Sequence, residues 1–158
     1  MGARTGHRSD DKTVATDRKA RHNYAIVETI ECGIQLTGSE VKSLRLGQAS
    51  LVDCFARVRD GELWLEGMHI PPYEQGDTRT HEPMRPRKLL VHRSQLQGLA
   101  RDTAEKGLAL VPLRVYFSHG IAKVELAVAR GKRQHEKRQA IAKRDAQREV
   151  ERELGRRR

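Results

Sequence analysis

Apolar and polar residues alternate between positions 24 and 36, a pattern typical of a half-buried β-strand. One parity carries most of the apolar side chains, namely Tyr24, Ile26, Ile30, Cys32, Ile34 and Leu36. Glu31 and Gln35 belong to the other parity, so the pattern predicts that they face outward. Gly33 interrupts the run and predicts a β-bulge or a sharp bend, because glycine within a strand often marks such a position.

A short helix is predicted directly after this strand. Residues 37–40 read Thr-Gly-Ser-Glu, which fits a capping box with Thr37 as the N-cap and Glu40 at the third helical position. Apolar residues then follow at helical spacing, and Gly47 is expected to end the helix. A bent strand that leads into a short helix would position the rest of the sheet.

The next segment predicts a β-hairpin and a long loop. Residues 51–59 and 63–70 show strand signals, and Asp60-Gly61 between them is typical of a tight turn. Residues 71–86 predict a loop, since prolines bound the segment at both ends.

A second helix is predicted in the middle of the chain. Residues 87–92 favour a brief strand or the approach to a helix. Ser94 and Gln97 then fit a second capping box, and Gly107 fits a C-cap.

The last hairpin completes the predicted fold. Residues 108–117 and 121–128 predict two strands, and Pro112 predicts an edge or a bulge because proline cannot donate to a ladder. Antiparallel hairpins with a bent first strand favour a mainly β fold, a small OB-like β-barrel with two or three helices and a basic C-terminal tail.

Charge divides the chain into three parts. The formal net charge is +10, of which +3 lies in residues 1–22, +1 in residues 23–130 and +6 in residues 131–158. We therefore expect a disordered arm over 1–17, a barrel over 18–130 and a basic tail over 131–158. A nearly neutral body with basic ends is typical of a protein that binds a polyanion.

The tail has two stripes at helical spacing. The apolar stripe is Ala142, Ala146, Val150 and Leu154, and the basic stripe is Arg144, Arg148, Arg152 and Arg156. A displacement of two residues places the stripes on opposite helical faces. We expect a frayed helix or coil in the isolated chain and folding on a polyanion, with a solvated helix packed on the body as the alternative.

Patterns that would indicate an enzyme or a metal site are missing from the sequence. It contains no H-x-x-x-H, C-x-x-C, G-x-x-x-x-G-K or G-x-S-x-G motif, so no cofactor is indicated. Cys32 and Cys54 fall in predicted strands and are expected to be buried and reduced. Glu31 is either a solvated carboxylate or an acceptor for a base amino group. The sequence therefore favours an RNA- or DNA-binding protein without catalysis.

Five segments together resemble one family. They read RKARHNY at 18–24, LTGSEVKSLR at 36–45, RKLL at 87–90, VARGK at 128–132 and HEKR at 135–138. In this order and with these gaps they resemble the bacterial SsrA-binding proteins, also called small protein B. The resemblance extends from about Lys19 to about Glu151.

The resemblance implies a function in ribosome rescue. Members of this family bind the tRNA-like domain of transfer-messenger RNA (tmRNA) and deliver it to stalled ribosomes, where trans-translation tags the incomplete peptide. The resemblance also implies a cytoplasmic protein that is not an enzyme and does not bind a membrane. Such a protein contacts elongation factor Tu and alanyl-tRNA synthetase only indirectly, through the RNA. A generic ribosomal or RNA-chaperone protein is the alternative, while a nuclease and a membrane-surface protein fit the chain less well.

The resemblance also implies site residues. The tmRNA contacts would be Lys19, Arg21, His22, Tyr24, Glu31, Leu90, His92 and Lys123. The contacts in the decoding centre and messenger channel of the small ribosomal subunit would be Gly131, His135, Glu136, Lys137, Arg138, Arg144, Arg148 and Arg152. Tyr24 would either stack on a base or close the core. Glu136 stands where the family commonly has aspartate, and His92 where a relative has asparagine.

Overall fold

The computed structural model describes residues 12–73, 81–132 and 134–156; it does not describe the side chains of 134–137, 139–140 and 156. Within these ranges the chain is mainly β, as predicted, but it has four helices rather than the predicted two or three, because residues 20–23 also form a short helix. The elements are β1 Lys12–Thr16, α1 Ala20–Asn23, β2 Tyr24–Ile34, α2 Gly38–Arg45, β3 Phe55–Arg59, β4 Glu62–Glu66, β5 Arg87–Leu90, α3 Arg93–Lys106, β6 Ala109–Ser118, β7 Ile121–Gly131 and α4 Gln134–Arg156.

The strands form one antiparallel sheet whose pairings return to their starting point. The order is β1-β6-β3-β4-β5-β2-β7, and β7 also pairs with β6. Six strands, β2 to β7, therefore follow one another in a circuit of ladders, while β1 lies outside it on the edge of β6. In this circuit β4 lies opposite β7, with two strands between them on each side.

Strand β1 was not predicted. Residues 1–17 were expected to be disordered, but Lys12–Thr16 pairs with β6, and residues 1–11 lie outside the described part of the chain. Val14 and Ala15 pack against the main core. The expectation is wrong for β1 because a polar segment can still be ordered when a neighbouring strand satisfies its backbone groups.

The bulge in β2 lies at Val27 and not at the predicted Gly33. The register with β7 shifts between Ile26 and Glu28, so the side-chain alternation reverses there. Tyr24 and Ile26 consequently pack on a different core cluster from the later apolar residues of β2.

The bulge predicted from Pro112 is confirmed. The register between β6 and β7 shifts between Pro112 and Arg114. Both bulges let one strand contribute side chains to two clusters, since Val111 and Leu113 join the second cluster while Leu110 and Val115 join the first.

Two hydrophobic clusters form the core. The main cluster takes buried side chains from β2 to β7 and from α2 and α3. The second cluster joins Ala20 of α1 to Val111 and Leu113 of β6 and Ala127 of β7. Cys32 and Cys54 are buried with free thiols, as expected. Burial raises the pKa of each thiol to about 12.

Helix α2 has the predicted capping box, but its glutamate also makes contacts that the sequence did not indicate. Glu40 accepts from the Thr37 N–H at 2.9 Å, and its two oxygens accept from Arg85 and Arg87 at 2.5 Å each. Arg87 is fully buried and also donates to the Met68 carbonyl. Burial alone would raise the pKa of Glu40, but the Thr37 N–H and the two guanidiniums lower it overall.

Two turn predictions are confirmed and one is wrong. Asp60 and Gly61 form the hairpin turn with φ of 52° and 72°, and Gly107 ends α3 in the left-handed region at φ 62°. The capping box lies two residues earlier than predicted from Ser94 and Gln97: His92 is the N-cap of α3, and the Gln95 side chain accepts from its N–H.

Three strand boundaries also differ from the predicted ranges 51–59, 63–70 and 121–128. Strand β3 begins only at Phe55, β4 already ends at Glu66, and β7 continues to Gly131.

The tail forms a helix, α4, and the expected fraying of this helix in the isolated chain stays a prediction. It runs for 23 residues and is rich in Ala, Arg, Glu, Gln and Lys, the residues with the highest intrinsic helix propensity. All its described side chains are exposed. Within the described ranges, no helix has the length and apolarity needed to cross a membrane.

Candidate nucleic-acid interface

Four neighbouring strands present one row of residues on the outer face of the sheet. Gly33 of β2 pairs with Leu90 of β5 on one side and with Lys123 of β7 on the other. Lys123 in turn lies opposite Tyr116 of β6. Glu31 is two positions from Gly33 and therefore shares its face. The structure thus brings together three of the predicted contacts, Glu31, Leu90 and Lys123.

Glu31 is held by two donors of its own chain. Lys123 Nζ donates to Oε1 at 2.6 Å, and the Tyr116 hydroxyl donates to Oε2. These two hydrogen bonds, that of Lys123 first, lower the pKa of Glu31. Burial and the bond to Glu31 raise the pKa of Tyr116. The carboxylate is outward, as predicted, but it is not an unpartnered acceptor.

Arg114 extends this arrangement towards β1. Its guanidinium lies 4.0 Å from the Tyr116 ring centroid, donates through Nε to Glu125 Oε2 at 2.7 Å and reaches Thr13 Oγ1 at 3.3 Å. Glu125 lies directly opposite Glu31 in the ladder. Two carboxylates are therefore balanced by two cations, Lys123 and Arg114.

The sequence did not indicate that Arg114 and Tyr116 belong to this site. Their alternate spacing on β6 was the only sequence signal, and it does not reveal which strand lies beside them. The pairing of β6 with β7, which juxtaposes Tyr116 and Lys123, identifies them.

Leu90 and His92 lie at the β5 side of the row. Leu90 is 50% exposed, and its Cβ would lie only 3.2 Å from a Cβ built on Gly33. The missing side chain of Gly33 therefore lets Leu90 lie over β2. His92 is exposed at the start of α3, two residues further along the chain.

The other predicted tmRNA contacts lie around α1. Lys19, Arg21 and His22 belong to α1 or precede it directly. Tyr24 pairs with Gly131 and lies partly buried against the second core cluster. Of the two predicted alternatives for Tyr24, this position favours closing the core over stacking on a base.

Helix α1 also contacts the start of the tail. The Lys132 N–H donates to the Asn23 carbonyl at 2.9 Å and its Nζ to the Arg21 carbonyl at 3.0 Å. Lys19 and Tyr24 line a cleft of about 730 Å³ next to the segment 49–55.

The eight predicted tmRNA contacts thus form two groups rather than one. Tyr24 and Glu31 lie seven residues apart on β2, which corresponds to about 20 Å along a strand. The Glu31 group contains Glu31, Leu90, His92 and Lys123, and the α1 group contains Lys19, Arg21, His22 and Tyr24. An RNA that contacts both groups would have to follow β2 and β7.

The predicted ribosome contacts lie along the tail. Gly131 ends β7, and Arg138, Arg144, Arg148 and Arg152 are exposed on α4. The side chains of His135, Glu136 and Lys137 lie outside the described part of the structure. The apolar stripe is also exposed, with Val150 at 59% and Leu154 at 62%, so the described part of the stripe is not packed on the body.

No metal site is found in the described ranges, where no three His, Cys, Asp or Glu residues are grouped closely enough to hold an ion.

Comparisons with known proteins agree with one another. Residues 14–156 match the family described as SmpB protein. An SsrA-binding protein of Desulforudis audaxviator is 61% identical over 145 residues, 92% of this chain and 95% of the relative. One from Mycobacteroides abscessus is 60% identical over 146 residues and covers 92% of both chains.

A solved structure described as "tmRNA-SmpB: a journey to the center of the bacterial ribosome" is similar in fold and sequence. The TM-score is 0.63 at 48% identity, with 80% of this chain and 92% of that chain covered.

Proposed function

Because the chain belongs to the SmpB family of SsrA-binding proteins, we propose that it binds the tRNA-like domain of tmRNA and delivers it to stalled ribosomes for trans-translation. The observation that carries this function is the 61% identity to an SsrA-binding protein across 92% of the chain. The protein acts by binding RNA and not as an enzyme. It acts in the cytoplasm and contacts elongation factor Tu and alanyl-tRNA synthetase indirectly, through the RNA.

The body is an OB-like barrel in this proposal. The circuit of six strands supports it, and so do the two bulges, because a sheet must bend sharply to close. The outer face of β2 and β7 then serves as the RNA surface, with the Glu31 group near one end and the α1 group at the other. Lys19 and Arg21 supply cations for phosphates, and Leu90 offers an exposed apolar side chain for a base or ribose.

The tail is the ribosome-binding part. Gly131, His135, Glu136, Lys137 and Arg138 reach the decoding centre, and Arg144, Arg148 and Arg152 face ribosomal RNA in the messenger channel downstream of the A site. The exposed helix α4 supports this, since the three arginines share one face of it. Messenger RNA in the channel would exclude the tail, so the tail distinguishes empty channels from occupied ones.

A competition experiment tests the function. Labelled tRNA-like domain of tmRNA is bound to the full chain in a filter assay and displaced with unlabelled tmRNA domain or with ordinary tRNA. We expect the tmRNA domain to compete at much lower concentration than tRNA. Equal competition by both RNAs would instead support a generic ribosomal RNA-binding or RNA-chaperone protein.

A further inference from the structure

Glu31 lies at the predicted RNA surface, yet its two oxygens already bind donors from β6 and β7. Lys123 occupies one oxygen at 2.6 Å and the Tyr116 hydroxyl occupies the other. The carboxylate therefore links the Lys123 and Tyr116 side chains, independently of any contact that it makes with RNA.

Tyr116 is placed where RNA cannot touch it. Its exposed fraction is 2%, because β1 pairs alongside it and the Arg114 guanidinium lies 4.0 Å from its ring centroid. Its hydroxyl nevertheless reaches Glu31 on the outer face of the sheet and donates a hydrogen bond to it. Any effect of its hydroxyl on RNA binding must therefore pass through another residue.

We propose that Tyr116 and Arg114 are positioning residues of the RNA interface, which hold Glu31 and through it orient the Lys123 ammonium towards a phosphate of the bound RNA. This inference rests on the proposed function and deepens it. In this arrangement Lys123 makes the RNA contact, Glu31 anchors it, Tyr116 anchors Glu31, and Arg114 covers Tyr116 while pairing with Glu125.

The physical gain is preorganisation. A free lysine side chain loses much rotamer freedom when it binds a phosphate, whereas a lysine already held by a carboxylate has lost it during folding. Glu125 faces Glu31 across the ladder, so Arg114 also removes a like-charge repulsion that would disturb this anchor.

Replacing Glu31 alone cannot identify this arrangement. Loss of RNA binding would follow whether Glu31 anchors Lys123 or accepts directly from a base amino group. Tyr116→Phe removes a single hydroxyl that the RNA does not reach, and comparing its effect with and without the Lys123 ammonium separates the two possibilities.

The test is a double-mutant cycle on binding of the tRNA-like domain of tmRNA. We expect Tyr116→Phe to weaken binding by about five- to tenfold, less than the full contribution of a hydrogen bond to a charged group, because the hydroxyl acts on the RNA only through Glu31 and Lys123. In the Lys123→Met background the same change should weaken binding by less than about twofold, because the anchored lysine is gone. Lys123→Met itself should reduce the log–log salt slope of binding by roughly 0.7 to 0.9, the share of one phosphate contact.

Tyr73→Phe is the matched control, because Tyr73 lies outside this network, against Lys42. It should leave the affinity unchanged. Thermal unfolding midpoints of all variants are compared with the wild type, and Arg114→Lys is used as a second probe should Tyr116→Phe unfold. Arg114→Lys keeps the charge but loses the planar stack, and its effect should likewise vanish in the Lys123→Met background.

Equal losses from Tyr116→Phe in both backgrounds, no loss at all, or an unchanged salt slope in Lys123→Met would each overturn the inference. A wild-type protein that does not prefer the tmRNA domain over tRNA would overturn the proposed function instead, so the two failures are distinguishable.

Discussion

Gly33 shows at the scale of a single residue how an absent side chain shapes the interface. The glycine is the point where β2 pairs with β5 and β7 at once. Leu90 lies over it, so the half-exposed leucine and Lys123 flank the glycine on opposite sides. The sequence marked Gly33 as unusual but indicated a bulge, since a glycine signal does not say whether the chain bends or another strand approaches closely.

Gly33→Ala should therefore weaken tmRNA binding severalfold. The added Cβ would lie 3.2 Å from the Leu90 Cβ, closer than ordinary van der Waals contact, so Leu90 or β5 must move. Filter binding measures the loss. Gly98→Ala is the control, because nothing lies within 4 Å of a Cβ there, and it should stabilise α3 by about 0.5 to 1 kcal/mol without changing the affinity. Wild-type affinity in Gly33→Ala would contradict the role assigned to the glycine.

Glu31→Arg should weaken tmRNA binding more strongly. The arginine would place a third cation beside Lys123 and Arg114 and release both Lys123 and Tyr116. Glu62→Arg is a matched control, since Glu62 is similarly exposed and accepts from Lys88 Nζ at 3.0 Å, but lies on β4, away from this face. A gel-shift titration compares the variants. Equal losses in both would show that added charge, and not the Glu31 site, governs the effect.

At the scale of elements, a buried ion-pair network joins α2 to the start of β5. Glu40 at the helix N-terminus binds Arg85 and Arg87, and Arg87 also reaches the carbonyls of Met68 and Pro83. The network thus connects the helix with both ends of the segment between β4 and β5. The sequence revealed only the capping role of Glu40, because a cap is local whereas the arginines are more than 40 residues away.

Glu40→Gln should lower the free energy of unfolding by about 3 to 5 kcal/mol, because it leaves the buried Arg87 and the partly exposed Arg85 without their counter-ion. Chemical denaturation at pH 7 measures this. Glu66→Gln, which breaks the surface pair of Glu66 with Arg57, should cost less than about 1 kcal/mol. Similar losses in the two variants would contradict the importance of burial.

The same carboxyl predicts a pH dependence with a definite sign. The pKa of Glu40 is lower in the folded protein than in the unfolded chain, so its contribution is present above the unfolded pKa and disappears as pH falls through the folded value. The free energy of unfolding should therefore fall below about pH 4.5 more steeply in the wild type than in Glu40→Gln. Parallel curves would contradict this.

For the whole molecule, the structure separates a nearly neutral body from an exposed cationic helix. The described tail contacts the body through Lys132 and α1, and its remaining described side chains are exposed on α4. This arrangement suits a protein that binds one RNA with its body and a second with its tail. A mutation in the body or in the tail should therefore impair one of the two RNA interactions without impairing the other.

Removing the tail should spare tmRNA binding and abolish peptide tagging. A chain ending at Lys132 retains both hydrogen bonds to α1, whereas one ending at Arg130 loses them together with the Tyr24–Gly131 pairing. We expect wild-type affinity for the former, at most a twofold loss for the latter, and no tagging with either in a reconstituted translation assay on truncated messages. Normal tagging by either chain would contradict a ribosomal role for the tail.

The family, the coarse fold and many local elements could be predicted from the sequence alone. Alternation predicted most of β2, the Asp60-Gly61 turn predicted its hairpin, and the Thr37–Glu40 capping box predicted the start of α2. These signals are local, since they depend on residues within one turn or a few strand positions. The tertiary structure alone decided that β1 pairs with β6, that Arg87 reaches Glu40, and that Tyr116 and Lys123 hold Glu31. The physical reason is that such contacts depend on which strands lie side by side and in which register, and this follows from how the whole sheet folds, bends and packs.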